Sequence, residues 1–405
     1  MNPTPRIIGV VTVGRADYNI CLSVIRRIQL DPALRLQLIV SGTHLSPEFG
    51  LTVTAIEEDG FEVAERVEML LSSDTPEGIA TSMGLGTIGF AQSYARSRPD
   101  ILVVSGDRFE MHAAALAALP FKIPVAHIEG GDLTEGAIDD ALRHSITKLS
   151  HLHFVSTEEY ARRVTQLGEE PWRINISGAP SLDNIKSVEF LSPDELEHKY
   201  GIPLTPSPIL VTFHPVTLEY EHTQHHMTEL LEALRKVNLP VVFTMPNADT
   251  GGRIITQMIE GFVKTYPQAR YIENLGTRDY LSVMSCAAAM VGNTSSGIIE
   301  APSFKLPVIN IGTRQQGRVR AENVIDVGYE REAIVEGMKK ALKPGFRASL
   351  SDIVNPYGTG EAAETIVERL TTVALDGQIL FKKFHDIDHI YQVEGNIGNM
   401  ANENK

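Results

Sequence analysis

Cysteine is scarce in this sequence: Cys21 and Cys286 are the only two among 405 residues, and they lie far apart in apolar surroundings. That excludes a disulfide-stapled scaffold and predicts two reduced thiols packed in cores, as in a cytoplasmic protein. Long apolar runs are missing as well. None approaches the roughly 18 residues that a membrane span requires, and the opening stretch MNPTPRIIGVVTVG has no signal-peptide layout. Positive charge is in deficit, 36 Lys and Arg against 51 Asp and Glu for a net charge of -15, which argues against nucleic acid or an anionic membrane as the main partner. Short-period repeats and low-complexity tracts are absent too. What remains is 43% hydrophobic and 21% charged residues, the composition of a soluble globular protein. Its length predicts two domains.

Short apolar runs alternate with amphipathic stretches of helical length. Residues 6–13, 35–41, 101–105, 123–128 and 151–156 read as strands, and 17–30 as the helix after the first. Their near-continuous Val, Ile and Leu suit strands buried on both faces of a parallel sheet. The texture changes around 176–208, dense in proline and polar residues, and the alternation then restarts with strands near 209–213, 240–245, 270–274, 288–292 and 307–311. The reading is α/β, with a first domain over 1–185, a second over 186–376 and a polar tail over 377–405. In such sheets ligands bind beyond the carboxyl ends of the strands, so the residues just after each strand are the informative ones.

After the first strand comes GRADY, with Arg15 able to clamp a diphosphate and Asp17 able to cap a helix. After residues 101–105 comes GDRFE, carrying Asp107, and after 123–128 comes the acidic segment HIEGGDLTEGAIDDALRH. There, Asp139 with Arg143 and Asp140 with His144 form i,i+4 pairs, so a salt-bridged helix start explains the acids as well as a reactive site does. His127, Asp132 and His144 lie at no familiar metal spacing, and no metal is expected. The histidine-rich stretch EYEHTQHHMTEL reads as a solvated helical face. His214 stands at a strand end before a proline. VGNTSSGIIEAP is either an anion-binding turn, with Ser295, Ser296 and Gly297 at a helix start and Glu300 one turn on, or a plain serine cap. No Gly-Lys-Ser/Thr follows, so it is not a Walker A loop.

Taken in order, VTVGRADY, VSGDRFE, HIEGG, IDDALRHSITKLSHLHF, SGAPSLDNI, HPVTLE, VGNTSSGIIEAP, NIGTRQQGR and ENVI resemble the hydrolysing UDP-N-acetylglucosamine 2-epimerases of sialic-acid and related nonulosonic-acid pathways. The resemblance spans nearly the whole chain. It implies a GT-B-like fold, two Rossmann-like doubly wound domains facing a central cleft. The activity it implies is conversion of UDP-GlcNAc and water to ManNAc and UDP without a cofactor, by anti elimination to 2-acetamidoglucal and then hydration with inversion at C2. Carried onto this chain, the catalytic set is Asp107, Glu129, Asp139 and His214. The UDP contacts are Arg15, Ser295, Ser296, Gly297, Glu300 and, less closely matched, Arg314. The partner is then a nucleotide sugar, and a homodimer or homotetramer is expected. Loop 132–136 would border the sugar and bear on substrate choice. Competing readings are a hydrolysing 2-epimerase of UDP-2,4-diacetamido-2,4,6-trideoxyhexose from legionaminic-acid synthesis, a non-hydrolysing epimerase, a GT-B glycosyltransferase and an inactive nucleotide-sugar sensor.

Overall fold

A computed structural model describes residues 4–73, 75–135, 138–246, 252–273 and 275–387. The described strands form two wholly parallel sheets. The first comprises β1 (Arg6–Thr12), β2 (Leu34–Ser41), β3 (Val63–Val67), β4 (Ile101–Ser105), β5 (Val125–Ile128), β6 (Leu152–Val155) and β7 (Ile174–Ile176), in the order β3-β2-β1-β4-β5-β6-β7. The second comprises β8 (Ile209–Thr212), β9 (Val241–Thr244), β10 (Ala269–Ile272), β11 (Ala289–Gly292), β12 (Val308–Ile311) and β13 (Val324–Val327), in the order β10-β9-β8-β11-β12-β13.

The central strands are the apolar runs read from the sequence. Every residue of β4, β5, β6, β8, β11 and β12 is buried, because helices cover both faces. Three strands escaped that reading: β3, β7 and β13. All three are sheet edges, and apart from buried Val67 their residues are partly or fully exposed. In β3, Glu65 pairs with Arg96 and Arg66 with Glu57, the charged dressing that keeps an edge from pairing with another chain.

Strand order reverses between β1 and β4 in the first sheet and between β8 and β11 in the second. Such reversals open a crevice at the carboxyl ends of the flanking strands. The segments at these crevices are GRADY, GDRFE, HPVTLE and GNTSSG, four of the motifs singled out above.

The domain assignment needs one correction. Helix Ala362–Thr372 was placed in the second domain, yet Ala362, Ala363, Ile366, Val367 and Leu370 lie in the core of the first, against helix Arg15–Leu30. Its amphipathic stripe matches the free face of that helix, and Asp183 caps its start by accepting from Ala362 N at 2.9 Å and Ala363 N at 2.7 Å. Residues 377–387 belong there too: Ile379 enters the same core, and buried Arg173 donates to the carbonyls of Gln378, Ile379 and Phe381. The rest of the tail, 388–405, lies outside the described residues. No described helix is long and apolar enough to cross a membrane.

Where the two domains meet, three residues close a ring of hydrogen bonds. Val319 N donates to Tyr160 Oη (3.2 Å), Tyr160 and Tyr357 hydroxyls pair at 2.8 Å, and Tyr357 Oη donates to Val319 O at 2.9 Å. Tyr160→Phe removes the acceptor for a partly buried N–H. It is expected to cost about 1–3 kcal/mol, read as a lowered denaturation midpoint with the secondary structure intact.

Candidate functional site

The first domain supplies carboxylates. Gly106 turns the chain at the end of β4 with φ +71°, placing Asp107 at the crevice. His127 on β5 supports that turn from below, with Nε2 at 2.8 Å from Gly106 O. Burial pushes His127 down to about 3, so it is a neutral brace and not a ligand. Glu129 follows β5 in a left-handed conformation, φ +63°, that non-glycine residues seldom adopt. Its own N–H still donates to Phe154 O at 2.9 Å, so the sheet holds the backbone while the side chain is thrown into the crevice.

Arg143 binds these groups together. It projects from helix Ile138–Leu149, is 3% exposed, and donates to Asp107 Oδ2, to Glu129 O at 2.8 Å and to Thr134 Oγ1 at 3.2 Å. The sequence suggested that Arg143 pairs along its helix with Asp139. Its guanidinium bonds Asp107, and the charge of half-buried Asp139 acts on it together with those of Asp107, Asp132 and Glu129. The other expected pair does form, Asp140 to His144 at 3.5 Å, and Asp140 Oδ1 also accepts from Thr134 N.

These surroundings split the carboxylates. Burial pushes Asp107 up, but Arg143, Arg318, Arg314 and Arg108 outweigh it and hold Asp107 below the ordinary carboxylate range. Burial pushes Glu129 well up, and the charge of Asp132 adds to it. Asp132, 1% exposed, is also pushed up by burial. One carboxylate is therefore held ionised beside another that retains its proton, the arrangement that acid–base chemistry needs.

The second domain supplies the anion-binding side. Gly292 ends β11 with φ +141°, and a Cβ there would lie 1.9 Å from Thr212 O, so only glycine permits the turn. Next to it, Asn293 accepts from His214 N at 2.7 Å and donates to His214 O at 2.8 Å, fixing the loops after β8 and β11 against each other. Arg314 and Gln315 both donate to Asn293 O, at 3.1 and 2.9 Å, bringing the loop after β12 onto the same spot. Ser295, Ser296 and Gly297 follow, but the helix they open, Ser296–Ile299, is only four residues long before it tightens into a 3-10 turn. Burial pushes Glu300 up, the hydroxyls of Ser181 and Ser296 pull the other way, and its Oε2 has no protein partner. His214 is held neutral, pushed well below its usual value by burial and by Arg314.

The two sides face each other. Arg15 reaches from the first domain to Glu273 O at 3.2 Å and Met245 Sδ at 3.5 Å, and Arg318 reaches back to Leu133 O at 2.8 Å. Arg15, Asp107, Glu129, His214, Ser295 to Gly297 and Arg314 thus follow the carboxyl ends of strands, while Asp139 stands in the first turn of helix Ile138–Leu149. From the sequence, Arg143 reads only as a helix-face partner of Asp139 and Asp132 only as part of a loop bordering the sugar, while Asn293 and Arg318 do not stand out. Arg143 and Asp132 do stand in the acidic segment, and Arg318 in GTRQQGR, but spacing alone could not tell which charges turn inward. The histidine stretch is not wholly solvated either: His226 is buried and stacks on Tyr329 with ring centroids 3.5 Å apart.

With this geometry in view, comparison with known proteins is decisive. The model of the UDP-N-acetylglucosamine 2-epimerase family matches residues 26–371. The chain belongs to that family. It is 40% identical to the GDP/UDP-N,N'-diacetylbacillosamine 2-epimerase (hydrolyzing) of Campylobacter jejuni over 385 residues, 94% of this chain and 99% of the relative. It is 36% identical to the UDP-N,N'-diacetylbacillosamine 2-epimerase (hydrolyzing) of Legionella pneumophila over 373 residues, 92% and 97% of the two chains. The crystal structure of a UDP-GlcNAc 2-epimerase from Neisseria meningitidis bound to UDP-GlcNAc superposes with a TM-score of 0.77 at 20% identity, covering 90% of this chain and 99% of that one. The fold is accordingly GT-B-like, two Rossmann-like domains around a cleft, and the chain is an epimerase of this family.

Proposed function

We propose that this family member is a hydrolysing 2-epimerase of a UDP-linked 2-acetamido sugar, with the diphosphate on the second domain and the sugar over the carboxylates of the first. The observation that carries this reading is Arg143 gathering Asp107, by its carboxylate, and Glu129, by its carbonyl, at the carboxyl ends of neighbouring strands, in surroundings that push the two carboxylates in opposite directions.

The chemistry accounts for both. A C2 proton of a sugar is too weakly acidic for a carboxylate until the C1–O bond to UDP begins to break. Positive charge then develops at C1 and acidifies C2–H, and nearby anions stabilise it. A carboxylate takes the proton, the C–H electrons form the C1–C2 double bond, and UDP leaves with the C1–O electrons. Water then adds its hydroxyl to C1, and a proton reaches C2 from the opposite face, giving the free C2 epimer. Two faces call for two groups. Asp107, held ionised, suits the acceptor, and Glu129, holding a proton, suits the donor. Asp139 and neutral His214 are proposed to assist, at the helix start and beside the leaving group. Arg15, Ser295, Ser296, Gly297 and Arg314 would take the diphosphate, and Glu300 the ribose.

Two sugars are candidates. UDP-N,N'-diacetylbacillosamine is supported by what the hydrolysing relatives are named for, and UDP-GlcNAc by the family's name. Both carry the C2 acetamido group that this chemistry concerns. The expected result with either true substrate in D2O, without NAD or added metal, is free UDP and a free sugar inverted and deuterated at C2. Turnover of the diacetamido sugar alone assigns that substrate; turnover of UDP-GlcNAc to ManNAc assigns the other. A UDP-linked epimer without UDP release would overturn hydrolysis.

A further inference from the structure

One buried pair of charges is left unused by the chemistry above. Asp132 is almost wholly enclosed, and its Oδ1 has no hydrogen-bond partner. Facing its Oδ2 at 3.8 Å is Nη1 of Arg318, whose side chain is 7% exposed and comes from the other domain. Arg318 Nε donates to Leu133 O at 2.8 Å, and Nη2 lies 3.5 Å from Thr134 Oγ1. Thr134 in turn donates to Asp107 Oδ2 at 3.4 Å and accepts from Arg143. A chain of contacts therefore runs from the second domain into the carboxylate cluster.

The segment that carries Arg318 is fitted to this position. Gly317 has φ +76°, and a Cβ there would meet Leu133 Cδ1 at 2.7 Å and Glu135 Oε1 at 2.8 Å, so the loop lies hard against the turn 133–135. On its other flank Val319 is clamped by the ring of Tyr160 and Tyr357 hydroxyls. Charge counting gives this contact its meaning. Arg143 and Arg318 act on all three of Asp107, Glu129 and Asp132, and Asp107 has Arg314 and Arg108 besides. Burial favours the protonated form of Glu129 and Asp132, and the two shared guanidinia oppose it. Withdrawing Arg318 removes one of the two cations that face Glu129, which must then hold its proton more tightly.

We propose that Asp132 and Arg318 are a positioning pair that ties the seating of the second domain to the charge state of Glu129. The proposal rests on the reading of Glu129 as a proton-transfer group. Charges facing Glu129 are Asp132, Arg143, Arg318 and Asp107, and the pair contributes one of each sign, so removing its members has opposite effects.

The test is the pH profile of kcat/KM, followed by UDP release, for Asp132→Asn, Arg318→Gln and Arg318→Lys. Loss of the cation in Arg318→Gln strengthens proton binding and moves the limb governed by Glu129 to higher pH by about one unit. Loss of the anion in Asp132→Asn moves it to lower pH by a similar amount. Arg318→Lys keeps the charge and is expected to stay near the wild-type profile with a lowered kcat, which keeps the test usable should Arg318→Gln fold poorly. Reduced activity with unmoved profiles, or shifts in the same direction, would overturn the pair. If the wild type turns over neither sugar, the proposed function fails, and the pair is tested separately with UDP alone. Protons exchanged on UDP binding, from calorimetry in buffers of different ionisation heat, are expected to change in opposite directions in Asp132→Asn and Arg318→Gln. An unchanged count in both overturns the pair.

Discussion

Glu129→Gln is expected to lower kcat by about a thousandfold while leaving the affinity for UDP within about threefold. The asymmetry follows from the state of the side chain. Burial and the neighbouring charge of Asp132 keep Glu129 protonated, so the resting group is a neutral carboxyl. Glutamine is neutral, nearly isosteric and offers an N–H where the acid offers an O–H. The left-handed backbone at φ +63° is held by the Glu129 N–H to Phe154 O bond and by Arg143 on Glu129 O, neither of which involves the side chain. Folding and nucleotide binding should therefore survive. What glutamine cannot do is give up a proton or take one back. UDP release from substrate and UDP binding by calorimetry check the two halves; a variant that keeps a tenth or more of wild-type kcat would remove Glu129 from the proton-transfer set. Asp107→Asn is the contrasting case, because Asp107 is ionised and salt-bridged, and its loss leaves Arg143 short of a partner as well as removing a base.

How far the sequence reached can be argued from these same residues. Central strands were legible because burial on both faces forces uninterrupted β-branched runs, as in β4 and β11. Edge strand β3 was not, since its Glu65 and Arg66 look like a loop until the sheet beside them is known. Glu129 and Asp107 were legible through their place after strands. Arg143 was only half legible. An i,i+4 spacing to Asp139, whose charge does act on it, gives a sufficient local explanation, and only the third dimension shows that its guanidinium also bonds Asp107, 36 residues earlier. Arg318 and Asp132 are separated by most of a domain in sequence, so no local pattern links them. The return of helix Ala362–Thr372 to the first domain is likewise a matter of which apolar stripe it meets.

Arg143→Met is expected to be the most damaging single change at the cleft, abolishing turnover and costing about 3–5 kcal/mol at neutral pH. Methionine fills much of the same volume, so the loss is electrostatic in origin. Asp107 is left buried without the cation that bonds it, Glu129 O and Thr134 Oγ1 each lose a donor, and Glu129 keeps only Arg318 of the two guanidinia that face it. The sign of the pH dependence distinguishes this from a packing defect. In the wild type, Asp107 is held below its unfolded value, so it contributes stability above that value and loses the contribution as pH falls. The variant lacks the contribution, so the gap between the two proteins should stay level from pH 8 down to about 4 and narrow only below that, as pH falls from the unfolded carboxylate value toward the lower folded one. Arg143→Lys keeps the charge but not the fork that meets three acceptors at once, and should lie between the two. Denaturant midpoints at several pH values measure the gap. A gap that stays the same size as pH falls from about 4 toward 2 would mean that Arg143 acts by filling space and not by holding Asp107 ionised.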